Sequence, residues 1–202
     1  MKKLFIALCT LGLSFSLNTN AITIDLVANN SAINPGDNVE VQVRISGLND
    51  MSAPALGVYD VDFNYDASLF SVSSINWGDS VKGNQLDLLG FGSAQDISSG
   101  FDWLRVFELS FDDVLDLESL QAGEFTLFSV LLNAIAIGSG DFSLATHSLG
   151  DAYGNDLVID HINNTQVSVG SVSVPEPSSI LLLLLGILAI VTLRFTVSKS
   201  GK

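Results

Sequence analysis

Cysteine is almost missing from this chain of 202 residues: the single one, Cys9, falls in the first 21 residues. That segment reads as one removed on export, so the body has neither disulfides nor thiolate chemistry and is held together by packing. Basic side chains are scarce as well. Lys2, Lys3, Arg194, Lys199 and Lys202 belong to the two ends, and only Arg44, Lys82 and Arg105 remain between Ile22 and Val174, against 21 acids, a formal charge of −18. Such a body excludes nucleic acid and anionic lipid headgroups as partners, because polyanion binding needs clustered Lys and Arg. It suits cations, basic partners or neutral glycans, or it serves simply to keep an exported domain soluble.

Catalytic groups are equally thin. The two histidines, His147 and His161, stand in no paired-ligand or HExxH spacing and read as ordinary surface or loop residues. Gly90-Phe91-Gly92-Ser93 has no helix after it to make a nucleophile elbow, and no glycine-rich turn carries the lysine and serine of a phosphate loop. Carboxylates abound, but some fall close together in any acidic fold, so their number gives little support to a secreted hydrolase. The expectation is a protein that is not an enzyme.

Helical periodicity is missing between the ends, and alternation takes its place. Val39, Val41, Val43 and Ile45 alternate with Glu40, Gln42 and Arg44, after a turn at Pro35-Gly36-Asp37. Ile22, Ile24 and Leu26 repeat the pattern, as do Val61, Phe63 and Tyr65, each reading as a strand with one buried and one wet face. Residues 69–75 continue after a turn at Asp66-Ala67-Ser68. Phe101, Trp103, Phe107, Leu109 and Phe111 share one face, interrupted by Arg105, with Asp102, Glu108 and Ser110 on the other. The aromatic face is expected to be the buried one, Trp103 included. Residues 125–137 read as a central strand covered on both sides or a strand with a bulge. Further strands are expected at 142–146, 157–160 and 167–174, and only Val114–Leu120 reads as a short helix. About nine strands divided by Gly, Asn, Asp and Ser turns predict an all-β body, a single antiparallel β-sandwich.

Both ends carry addresses. Met1-Lys2-Lys3 followed by an apolar stretch to Leu17 and small residues at Thr19-Asn20-Ala21 reads as a signal peptide over 1–21. An uncut N-terminal anchor is the alternative. At the other end Pro175-Glu176-Pro177-Ser178-Ser179 precedes an apolar run over 180–193, then Arg194, Lys199 and Lys202. Taken over about 179–197, the run makes roughly 28 Å of helix, close to a bilayer core. It is expected to be one C-terminal transmembrane helix, and the basic residues after it orient the body outside the cytoplasm.

That three-part tail, residues 174–202, resembles the PEP-CTERM sorting signal of Gram-negative bacteria. The resemblance implies recognition of Pro175, Glu176 and Pro177 by an exosortase-type processing enzyme, a temporary helical anchor, and a retention tail beginning at Arg194. Either the tail is cut in sorting or it remains as a permanent membrane anchor. The body over 22–173 resembles a cohesin-like module in the order of Pro35-Gly36-Asp37, Val61-Asp62-Phe63-Asn64-Tyr65-Asp66, Phe125-Thr126-Leu127, Gly138-Ser139-Gly140 and Asp151-Ala152-Tyr153-Gly154-Asn155-Asp156. The resemblance implies a jelly-roll-like sandwich that binds a dockerin-like protein through one sheet face. Carbohydrate-binding modules are close relatives of that family, so a polysaccharide of an extracellular matrix is the second ligand class.

Two features carry site candidates. Asp151, Asn155 and Asp156 in one glycine-containing loop offer hard oxygens to a calcium ion, outside EF-hand spacing; the alternative is a turn whose Asx side chains cap their own backbone. Trp77, beside Gly78-Asp79, is expected to be exposed and able to stack on a sugar ring.

Overall fold

A computed structural model describes residues 21–49 and 54–170. The signal segment, Pro175-Glu176-Pro177, the apolar run expected to cross a membrane, and Arg194 lie outside the described residues. Among the described residues no helix is long and apolar enough to cross a membrane.

Among the described residues, eleven strands and one helix follow in chain order. They are β1 (Ile22–Ala28), β2 (Ala32–Ile33), β3 (Asn38–Ser46), β4 (Leu56–Asn64), β5 (Phe70–Trp77), β6 (Ser93–Ser99), β7 (Trp103–Ser110), α1 (Val114–Leu120), β8 (Phe125–Ala134), β9 (Gly138–Asp151), β10 (Ile159–Asn163) and β11 (Thr165–Val169). A five-stranded sheet, β10-β1-β3-β8-β5, packs on a six-stranded one, β2-β11-β9-β4-β7-β6. The β-sandwich expected from the alternation is present, and so is the short helix.

Period-two patterning places the core. Val39, Val41, Val43 and Ile45 of β3 face Tyr59, Val61 and Phe63 of β4 across the interior, all fully buried. Phe63, Phe70 and Phe142 cluster there, with ring centroids 4.9 Å apart for Phe70–Phe142 and 5.8 Å for Phe63–Phe142. Each such aromatic contributes about 2–3 kcal/mol of transfer free energy. β8 is buried along most of its length because it lies between β3 and β5, and a bulge shifts its register opposite Val43 and Arg44.

Three expectations need correction. The sandwich is not purely antiparallel: β10 pairs parallel with β1, and β11 pairs parallel with β2. β2 and β6 were not foreseen, since β2 is two residues long and Ser93-Ala94-Gln95-Asp96-Ile97-Ser98-Ser99 lacks apolar alternation. That composition suits an edge strand, which has only one neighbour and stands largely in solvent. β7 is turned over. Its buried residues are Leu104, Val106 and Glu108, while Trp103 and Phe107 are only half-buried, Leu109 is exposed, and Phe101 and Phe111, just beyond its ends, are exposed. The core took the aliphatic pair and left the aromatic set outside.

Candidate functional site

The inverted β7 gives the six-stranded sheet an unusual outer face. In register across β4 and β7, Asn64 lies opposite Trp103, Asp62 opposite Arg105, Asp60 opposite Phe107 and Val58 opposite Leu109. These pairs point away from the core, because the intervening Tyr59, Val61, Phe63, Leu104 and Val106 are buried. Apolar side chains thus stand in a solvent-facing row with a charged centre. Leu109 is 40% exposed, and Phe111 beyond it is 59% exposed.

The charged centre is a chain of partners. Arg105 donates to both carboxylate oxygens of Asp60, at 2.7 and 2.6 Å, and Asp62 Oδ2 is hydrogen-bonded to His147 Nε2 at 2.7 Å. His147 stands here because β9 carries an extra residue at this point: Asp60 pairs with Ser148 and Val61 with Thr146. The bond from Arg105 holds the Asp60 carboxyl below the usual aspartate range, against the opposing effect of burial. The Arg105 guanidinium is raised in turn by the same bond. The other basic residues of the body are also engaged, Arg44 with the Glu124 carboxylate and Lys82 with the Glu124 carbonyl. Arg105 is therefore a fixed cation among apolar neighbours, a combination enriched at protein interfaces.

Beneath this face lies a group the sequence reading put on the wet side. Glu108 is fully buried and accepts hydrogen bonds from Tyr59 Oη at 2.9 Å, Asn84 Nδ2 at 2.5 Å, Ser93 Oγ at 2.6 Å and Gln95 Nε2 at 2.9 Å. Four neutral donors replace the water a carboxylate would otherwise keep. Burial, followed by the Glu108 charge and the bond to it, pushes the Tyr59 phenol well above its ordinary value. The network ties β4, the edge strand β6 and the loop carrying Asn84 to β7, which makes the outer face rigid. Asp112 Oδ2 and Gln121 fasten the same loop and the start of β4, through Leu88 N at 2.6 Å, and through Gln85 O at 2.9 Å and Leu56 N at 2.6 Å. The sequence did contain one signal for Glu108: it shares the parity of Leu104 and Val106.

The sequence candidates fall elsewhere. Asp151 Oδ1 accepts from the amides of Tyr153 and Asn155 at 2.9 and 2.8 Å, and Oδ2 accepts from Asn155 Nδ2 at 2.9 Å. Burial alone would raise the Asp151 carboxyl, but these bonds together hold it low. The Asx side chain caps its own loop, and Asp156 pairs with Gly150 in an isolated antiparallel bridge. Among the described residues no group of three His, Cys, Asp or Glu is placed to hold a metal ion. Trp77 is half-buried rather than exposed: it lies opposite Phe128 and packs against the core from β5, so its indole turns away from the outer face that the neighbouring Asn76 presents. Gly78 follows it at φ 76°, where a Cβ would come within 2.6 Å of the Asn84 backbone.

The family model named Cohesin domain matches residues 23–90. The chain is also similar to solved cohesin structures. A non-cellulosomal cohesin from the archaeon Archaeoglobus fulgidus is 19% identical with a TM-score of 0.55, over 76% of this chain and 94% of the other. A type II cohesin from the cellulosome of Acetivibrio cellulolyticus is 11% identical with a TM-score of 0.58, over 73% and 95%. The OlpA cohesin of Clostridium thermocellum, solved as a complex with the dockerin Doc918, is 17% identical with a TM-score of 0.56, over 73% and 99%. The comparison with curated proteins finds no match. The body has the cohesin fold.

Proposed function

We propose that this chain is an exported, non-enzymatic binding module whose six-stranded sheet presents its outer face to a dockerin-like protein. The observation that carries the reading is the solvent-facing row of Trp103, Phe107, Leu109 and Val58 around the Arg105–Asp60 pair. The outer face of the five-stranded sheet differs: Glu40, Gln42, Arg44 and Asn76 stand there, with no comparable apolar row. Aromatic and aliphatic anchors beside a fixed arginine form the kind of patch in which a few residues supply most of the binding free energy. The bonds around Glu108 hold the strands that carry those anchors, so little ordering is lost on binding.

Export belongs to the same reading. The signal peptide over 1–21 would deliver the chain across the inner membrane, and the PEP-CTERM-like tail would hold it there, body outside, until an exosortase-type enzyme sorts it to the surface or matrix. Both addresses rest on the sequence.

The test is affinity for a panel of dockerin modules, Doc918 among them, with the unaltered chain and with Phe107→Glu/Leu109→Glu. Both positions point outward, so the variant is expected to melt with the parent while losing at least tenfold in affinity. Failure of every dockerin to bind the unaltered chain, or equal binding by the variant, would overturn the reading.

A further inference from the structure

Among the described residues, both sheets end on one side of the sandwich in a strand with a single neighbour, β5 in the five-stranded sheet and β6 in the six-stranded one. Between them the interior opens as a groove of about 510 Å³, walled by Phe70, Val72 and Ile75 from one sheet and by Ile97 and Leu104 from the other. Among the described residues no charged side chain lines it. β5 carries no charge and β6 carries only Asp96, in a body of formal charge −18. Ile97 lies in register with the buried Val106, so its side chain turns inward over the groove, yet it remains 43% exposed. β6 also lacks the usual protection of an edge: it has no lysine or proline, and it pairs with β7 without a bulge.

One bond sets the hydrogen-bonding phase of that edge. Gly100 N donates to Trp103 O at 3.0 Å, one step beyond the pair of Ser99 with Leu104. Backbone groups alternate along an antiparallel strand, so those of Ala94, Asp96 and Ser98 turn to β7 and those of Gln95, Ile97 and Ser99 turn to solvent. We propose that β6 pairs antiparallel with β6 of a second copy of this chain, centred on Ile97, joining two six-stranded sheets about a twofold axis. In this register Ile97 exchanges both backbone bonds with its symmetry mate, Gln95 does so with Ser99, and the two isoleucines meet where the grooves adjoin. Charge favours this partner. A basic protein, the kind the rest of the body attracts, finds a single acid here, whereas two copies that repel elsewhere meet at a face that is nearly neutral. Charge also sets the register: centring on Asp96 would put two carboxylates directly opposite each other, while centring on Ile97 puts Asp96 opposite Ser98. The outer face of the sheet stays free, so this pairing is independent of what docks there.

The test is disulfide cross-linking of the full chain in detergent, in a Cys9→Ala background that leaves no other thiol. Under a mild oxidant, Ile97→Cys is expected to form linked dimers about tenfold faster than Gln42→Cys, on the outer side of the opposite sheet, and faster than Asp96→Cys. A mixture of Asp96→Cys and Ser98→Cys chains, which keeps Ile97 in place, should link into mixed dimers in preference to either like pair. Ser98 pairs with Asp96 on both sides of the axis. On the Ile97→Cys background, Ser98→Lys should therefore raise the dimer yield about threefold and Ser98→Glu lower it about as much. Linking at position 97 no faster than at 42, fastest linking of Asp96→Cys, mixed dimers in statistical yield only, or equal yields from the two Ser98 variants would overturn the proposal. Abolition of the position 97 link by added Doc918 would overturn it too, since the edge would then belong to the dockerin.

Discussion

Arg105 lies opposite Asp62 in the pairing of β7 with β4, yet both of its hydrogen bonds to that strand go to Asp60, at 2.7 and 2.6 Å. The diagonal leaves Asp62 to His147 and ties Arg105 to the strand position that pairs with Phe107. One cation, two acids and a histidine thus stand together across β7, β4 and β9, with Trp103, Phe107 and Leu109 flanking Arg105 along β7.

The pH dependence of this pair has a definite sign. The folded-state pKa of Asp60 is lowered, chiefly by the Arg105 bond. Its stabilising contribution is therefore present above the ordinary aspartate range and is lost as pH falls through the lowered value. In urea titrations, Arg105→Met is expected to be less stable than the parent above about pH 5, with the difference closing below about pH 4 as Asp60 protonates. A difference that widens toward acid would contradict this.

Glu108 is expected to be among the costliest positions of the body to change. Tyr59→Phe removes one donor from the buried carboxylate and should cost about 1–2 kcal/mol. Glu108→Leu leaves the Tyr59, Asn84, Ser93 and Gln95 donors without their acceptor and should cost about 3 kcal/mol or more. Denaturant melts give both values. Hydrogen exchange should also show earlier opening of β6 and the Asn84 loop in the Glu108 variant; unchanged protection there would mean the network does not hold the edge.

The tail makes a prediction about location. Changing Pro175-Glu176-Pro177 to alanines should leave the full-length chain in the inner membrane, seen by fractionation and by its unshifted mass. Release at the parental rate would remove the sorting reading while leaving the docking face untouched.

Much of the sandwich was legible in the residues. β1, β3 and β4 each bury every second side chain, so alternation alone marked them, and α1 announced itself by breaking it. β6 was not legible because an edge strand of Ser, Ala, Gln and Asp has little apolar pattern to read. β7 misled for a more interesting reason. Both of its faces carry large apolar side chains, and bulk favoured the aromatic set for the core, whereas Leu104 and Val106 fill it. Arg105 within the aromatic set was the clue that this face looks outward. The parallel pairs of β10 with β1 and β11 with β2 depend on contacts between residues more than a hundred positions apart, which local patterning does not encode. The same holds for the outward row on β4 and β7, whose members Val58, Asp60, Arg105, Phe107 and Leu109 come together only through register.

The central claim is that a protein partner docks on the outer face of the six-stranded sheet, and amide shift mapping of the full chain with a bound dockerin module tests it most directly. The account predicts perturbation along β4, β7 and β9, strongest at Asp60, Asp62, Arg105, Phe107 and Leu109, with β3, β5 and β8 unmoved. Perturbation centred on β3, β5 and β8, or none at saturating dockerin, would contradict it.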